Sequence, residues 1–192
     1  IDYGLYGWAL SRYAGVWVGL KCVKDNIEST ASIDGAVDRV STVTPTDHQL
    51  PPGGLNIRWP DPPLEQEARL LDFKWYAALA YVRANRLNHN VIEGPNDRFG
   101  LIASGKAFND TRQALLDLGL DEARCNELGV RLHKVGVVWP LEHEGVREFA
   151  RGLREVLVVD SVEPRVRMRL GALARGGGLI AVSVGKDTRV AE

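Results

Sequence analysis

The chain has 192 residues and a formal net charge of −1. That balance gives no argument for a nucleic acid partner or for an anionic membrane surface. Its length suits one large domain, or one domain with a fragment of another, and no apolar run approaches the roughly 20 residues of a membrane-spanning helix. Two cysteines, Cys22 and Cys125, lie far apart and form no CxxC pair. Two reduced thiols in a cytoplasmic protein are expected, with a disulfide left open.

Ile1-Asp2-Tyr3-Gly4 runs straight into a helical pattern with no initiator methionine, so an excised piece of a longer protein is expected. Residues 1–15 read as a short amphipathic helix with Leu5, Trp8, Ala9 and Arg12 in period. Val16 to Val23 is rich in β-branched and aromatic residues and reads as a strand. Val37 to Val43 offers a second short strand. The segment Pro51-Pro52-Gly53-Gly54-Leu55-Asn56-Ile57-Arg58-Trp59-Pro60-Asp61-Pro62-Pro63 reads as an extended surface linker, because proline fixes φ and removes donors. A helix is expected from about Pro62 to Leu87, with Asp61 as N-cap and an apolar stripe from Leu64 to Val82 packed on a sheet.

A polar turn with a short extended piece at Val91-Ile92 precedes the segment on which the second half is built. Phe99 to Ala103 is long enough for a buried strand, Ser104-Gly105-Lys106 is a break, and Ala107 to Leu118 has helical spacing. Gly119 stands where a glycine closes a helix. Further expectations are a helix over Asp121–Leu128, a strand over Val130–Val138, a helix over Pro140–Gly152 and a strand over Glu155–Asp160. A helix over Glu163–Arg175 and a strand over Leu179–Val184 complete the series. This alternation predicts an α/β fold: a small, mostly parallel sheet with helices on both faces.

Gly100-x-x-x-x-Gly105-Lys106 has the spacing of a phosphate loop. The intervening Leu101-Ile102-Ala103-Ser104 is the strand itself, and Ala107 replaces the hydroxyl residue that would hold magnesium. What survives is a small-anion candidate at Ser104, Gly105 and Lys106, where a strand feeds a helix start. His48, His89, His133 and His143 show no metal-ligand spacing, and no metal site is expected. His133 reads as a solvated edge residue. Asp160 ends a parallel strand and reads as a cap for the following helix. No complete set of catalytic residues emerges.

Several strings have no generic structural explanation. Gly4-Leu5-x-Gly7-Trp8-Ala9-x-Ser11-Arg12, Trp17 to Val23, Pro51 to Asp61 and Gly105-Lys106-Ala107 resemble the large fused bacterial indolepyruvate ferredoxin oxidoreductases, of the 2-oxoacid:ferredoxin oxidoreductase family. The resemblance runs from about Tyr3 to Asp187. It implies an internal piece of a larger enzyme: residues 1–34 the end of a pyrimidine-binding thiamine-enzyme domain, 35–61 a linker, and 62–192 a transketolase-C-terminal-like α/β domain. The parent enzyme would oxidatively decarboxylate arylpyruvates with thiamine diphosphate, Mg2+, iron–sulfur clusters and coenzyme A, passing electrons to ferredoxin. The resemblance carries no catalytic or cofactor residue onto this chain, whose role would be structural, through contacts with the parent's other domains and self-association by residues 1–34. An alternative is an anion- or nucleotide-binding module using Ser104-Gly105-Lys106. One departure is Val158-Val159-Asp160-Ser161-Val162-Glu163, where the family pattern resembles Val-Val-Glu-Glu-Lys-Arg.

Overall fold

A computed structural model describes residues 1–36, 38–56, 59, 61–159 and 180–184, with the side chains of 25, 26 and 180–184 left aside. The chain forms two compact units, Ile1–Arg86 and Leu87–Glu192.

In the first unit, helix α1 (Asp2–Ala14) ends on Gly15, which takes a left-handed conformation at φ 65° and donates its N–H to Ser11. A one-turn helix α2 spans Lys24–Ile27. Helix α3 (Pro63–Arg69) starts with Pro62 as N-cap, one position later than the sequence suggested. It continues through a π-helical stretch, Leu70–Lys74, into α4 (Trp75–Ala84). Helix α4 packs against α1: Leu10 and Ala14 face a fully buried run from Ala77 to Val82, and Tyr13 lies 5.9 Å from Tyr81. Lys74 Nζ donates to the carbonyl of Gly15 at 2.8 Å, so the longer helix holds the end of α1.

Four expectations change here, the first being that the Pro62–Leu87 helix packs on a sheet: its apolar face meets α1, and the first unit has no strand among the described residues. Val16–Val23 is not a strand; no strand pairs with it among the described residues, and Trp17 is 97 % exposed. Strand propensity reflects packing on a half-buried pleated surface, and none is supplied. The described part of Val37–Val43 is also irregular. The Pro-Pro-Gly-Gly-Leu segment is a turn rather than an extended surface run. Gly54 N–H donates to Pro51, Arg69 holds the Gly54 carbonyl at 2.8 Å, and Leu55 is buried. The carbonyl oxygen of Leu55 would lie 2.0 Å from a Cβ on Gly15, so only glycine admits this close approach.

The second unit is an α/β sheet. Its strands are β1 (Asn88–Ile92), β2 (Phe99–Ser104), β3 (Val130–Val135), β4 (Glu155–Val159) and β5 (Ile180–Val184). They lie in the order β1-β3-β2-β4-β5, with β1 antiparallel to β3 and the other pairs parallel. Helices α5 (Gly105–Asp117) and α6 (Glu122–Leu128) link β2 to β3, and α7 (His143–Ala150) links β3 to β4. Two apolar clusters lie on opposite faces of the sheet. Ala103, Phe108, Leu115, Cys125 and Leu132 form one with α5 and α6; Ile102, Val135, Val146, Phe149, Val156 and Val158 form the other with α7. The mostly parallel sheet with helices on both faces is therefore borne out. Strand β2 reads as a continuous apolar run because both its faces are covered.

Local signals explain most boundaries. Gly119 takes φ +74° just past α5 and donates to Leu116, while Leu120 N–H reaches Leu115. This is the paired closure that satisfies the last helix carbonyls. Asp121 caps α6 by accepting from Arg124 N–H at 2.8 Å, and Gly129 closes it at φ +76°. The Glu142 carboxylate caps α7, accepting from Glu144 and Gly145 N–H at 3.1 and 2.6 Å. The extended piece at Val91-Ile92 is the end of the longer strand β1. The helix expected over Glu163–Arg175, and Asp160 with its neighbours, lie outside the described residues.

Candidate functional site at the C-terminal edge of the sheet

In an open parallel sheet, ligands enter where two neighbouring strands send their connections to opposite faces, beyond the strand C-termini. In the order β1-β3-β2-β4-β5 the reversal falls between β2 and β4, since β2 runs on to β3 on one side and β4 to β5 on the other. The chain leaving β2 enters α5 on one face, and the chain leaving β3 reaches α7 on the other. Ser104 and Val135 stand side by side at that edge.

On the α5 side there is no loop between strand and helix. Ser104 is the last residue of β2 and the N-cap position of α5, with its side chain making no capping bond. Gly105 opens the helix at φ +51°, with open space where a Cβ would stand. Lys106 turns along the helix, and its ammonium contacts both carboxylate oxygens of Asp110 at 2.8 and 2.7 Å. The three residues are contiguous, but the one charge among them is engaged by a neighbouring acid. Gly100 has a packing role. A Cβ there would lie 2.5 Å from Leu153 and 2.7 Å from Phe149, so glycine lets α7 close on β2.

A second set of groups at this edge was not found from the sequence. Lys134, on β3 one position before its end, places its ammonium 5.1 Å from the centre of the Phe108 ring of α5. Burial pushes its pKa down, and the positive charge of Arg112, one helical turn beyond Phe108, adds to that shift. His89 of β1 is its partner across the sheet. The signal was the alternation in Val130–Val135: Leu132 and Lys134 share the α5 face.

On the other face, Asn88 Oδ1 accepts from the N–H groups of Gly136 and Val137, both at 2.9 Å. This fixes the chain leaving β3, which then passes a cis Trp139–Pro140 peptide. His133 is not the solvated edge residue expected. β1 lies beyond β3, so His133 sits on an interior strand, is 2 % exposed, and stacks 4.9 Å from Phe149. Its Nδ1 lies 2.7 Å from Asn90 Oδ1, which assigns the proton to Nδ1; Nε2 is buried with no hydrogen-bond partner. Burial foremost, then the His89 and Arg131 charges, lower its pKa to about 4, so it is a neutral core residue at ordinary pH.

The opposite end of the sheet holds a structural ion pair. Asp97, whose side chain is fully buried, accepts from Arg131 Nε at 2.8 Å and from Gly94 N–H at 2.9 Å. Arg131 also donates to the carbonyls of Phe149 and Arg151, tying the end of α7 to β3. Among the described residues no three His, Cys, Asp or Glu side chains gather as metal ligands. His48 belongs to the first unit, His143 opens α7 with Nε2 3.2 Å from Glu144, and Cys125 is buried in the apolar cluster beneath α6. No helix of the described residues is long and apolar enough to cross a membrane.

The second unit is thus an open, doubly covered α/β module whose strand order reverses between β2 and β4. Residues 88–169 match the model of the indolepyruvate ferredoxin oxidoreductase middle domain, so the family resemblance carried by the sequence motifs is borne out over this segment. The chain is 33 % identical over 104 residues to the indolepyruvate oxidoreductase subunit IorA of Pyrococcus abyssi, covering 54 % of this chain and 15 % of that protein. It is 37 % identical over 95 residues to IorA of Methanothermobacter marburgensis, covering 50 % and 14 %. The chain therefore spans about one seventh of the length of these relatives. Among solved structures, a 2-oxoglutarate:ferredoxin oxidoreductase from Magnetococcus marinus aligns with TM-score 0.43 and 15 % identity, covering 86 % of this chain and 27 % of that one. A split-gene transketolase, described as an inactive β4 tetramer, aligns with TM-score 0.40 and 17 % identity over 54 % of this chain and 34 % of that one.

Proposed function

We propose that this chain is a non-catalytic structural and assembly module of a thiamine-diphosphate-dependent, indolepyruvate-type 2-oxoacid ferredoxin oxidoreductase in the cytoplasm. The family match over residues 88–169 carries the reading. The commitments of the polar groups support it. Asp97 and Arg131 bind each other, Glu142 caps α7, Lys106 pairs with Asp110, and His133 is held neutral in the core. Residues 1–34 would end a pyrimidine-binding domain, 35–61 would connect, and 62–192 would form a transketolase-C-terminal-like domain. Thiamine diphosphate, Mg2+, the iron–sulfur cluster and coenzyme A would be held by other segments of the parent, which would pass electrons to ferredoxin.

The first unit presents Leu5, Trp8, Trp17 and Val18 to solvent, which supports self-association through residues 1–34. Two measurements test the reading. Supplied with indolepyruvate, thiamine diphosphate, Mg2+ and coenzyme A, the 192-residue chain should reduce no artificial electron acceptor; turnover above the protein-free rate overturns the non-catalytic role. Sedimentation equilibrium should find a dimer or larger species that Trp8→Glu disperses; a monomer at all concentrations overturns the assembly role.

A further inference from the structure

We propose that the outer stripe of α1 (Leu5, Trp8 and Arg12) in one copy of this chain docks on the outer stripe of the helical run 63–74 (Leu64, Glu67 and Leu71) in a second copy. This contact rests on the self-association proposed above and supplies the surface that receives residues 1–34. Leu5, Trp8 and Arg12 follow at spacings of three and four residues, so they share one side of α1. Leu10 and Ala14 mark its buried side. Trp8 is 69 % exposed, and Leu5 and Arg12 are exposed with it. Leu64, Glu67 and Leu71 repeat the three- and four-residue spacing across α3 and the start of the π-helical stretch. Leu64 is 78 % exposed and Leu71 57 %.

The run 63–74 buries none of its own residues, whereas α4 beyond it is buried from Ala77 to Val82. Helices this short are marginal unless an apolar face packs on a partner. The run is held to its unit by polar contacts: Arg69 donates to the Gly54 carbonyl and Lys74 to the Gly15 carbonyl, both at 2.8 Å. With those two charges turned inward, its exposed charges are Glu65, Glu67 and Asp72. The outer face is therefore apolar and acidic. On α1 the only charged residues are Asp2, which pairs with Arg39, and Arg12. The Leu5-Trp8-Arg12 stripe is therefore apolar and basic, the complement of the other face, and Arg12 against Glu67 sets the register of the contact. Each copy carries both stripes, so a two-fold dimer makes the contact twice and closes. Leu5, Trp8, Leu64 and Leu71 together expose on the order of 500 Å² of apolar surface per copy, which matches the apolar share of a standard interface of about 800 Å² per partner.

The test is sedimentation equilibrium of the 192-residue chain with two charge reversals, Arg12→Glu and Glu67→Lys. Both positions are exposed, so both variants should fold. The wild type should be a dimer. Each variant alone should dissociate about tenfold more readily or worse, because like charges then face each other in both contacts of the dimer. An equimolar mixture of the two variants should regain dimer at wild-type concentrations, because every contact in the mixed dimer pairs opposite charges. A monomer at all concentrations overturns this contact and the self-association reading together, and leaves both stripes to a different polypeptide. A dimer that neither substitution weakens overturns the contact and leaves self-association standing. Weakening in both variants without recovery on mixing overturns the contact as well.

Discussion

His133 gives the sharpest test of the second unit. Its imidazole is folded in the neutral form, with a pKa lowered from 6.5 to about 4. In the unfolded chain it protonates near its ordinary value. The unfolded state therefore binds more protons between these limits, and stability must rise with pH there. The contribution is fully present above about pH 6.5 and is lost as pH falls through the folded value near 4. A gap of about 2.5 units at about 1.4 kcal/mol each amounts to about 3–4 kcal/mol, with a slope approaching about 1.4 kcal/mol per pH unit inside the window. Urea unfolding followed by circular dichroism from pH 7.5 to 4, on the wild type and on His133→Gln, isolates this residue, because the other titrating groups are common to both. His133→Gln should be less stable than the wild type at pH 7.5 and should lose most of that disadvantage by pH 4. Parallel pH dependences in the two proteins would refute the reasoning, as would an NMR titration in which the His133 ring protonates near pH 6.5.

Two further substitutions test the packing. Gly100→Ala drives a methyl group to within 2.5 Å of Leu153 and 2.7 Å of Phe149, so α7 must shift; a loss of about 1–3 kcal/mol in urea unfolding is expected. A stability within 0.5 kcal/mol of wild type would show that the glycine has no packing role. Asp97→Asn leaves the Arg131 guanidinium, whose side chain is mostly buried, without its close carboxylate partner, and should cost about 3 kcal/mol. Retained thermal stability in that variant would mean that Glu93, 3.7 Å from Arg131, takes over the pairing.

Sequence and structure agree where the controlling interactions are local. The end of α5 was readable because Gly119 supplies the left-handed residue the closure needs. The starts of α5 and α6 follow from apolar spacing and from Asp121. The interval between Gly100 and Gly105 is strand β2, as its apolar run implied. The structure adds that Gly100 is there to admit Phe149 and Leu153, two side chains about fifty residues away in sequence.

The differences arise where neighbours decide. Val16–Val23 has strand composition but no partner strand among the described residues, so it stays irregular. His133 alternates with its neighbours as an edge residue would, yet it is buried because β1 folds back antiparallel beyond β3. Lys134 and the Phe108 ring are 26 positions apart in sequence and meet only through the β2-α5-β3 crossover. By itself the sequence determined most element types of the described second unit, the closing glycines and the resemblance to the indolepyruvate ferredoxin oxidoreductase middle domain, because periodicity, left-handed φ and motif strings are properties of contiguous residues. Strand order, the burial of His133 and the contact of Lys134 with the Phe108 ring were decided by tertiary structure, because each depends on which distant segment the folded chain places alongside.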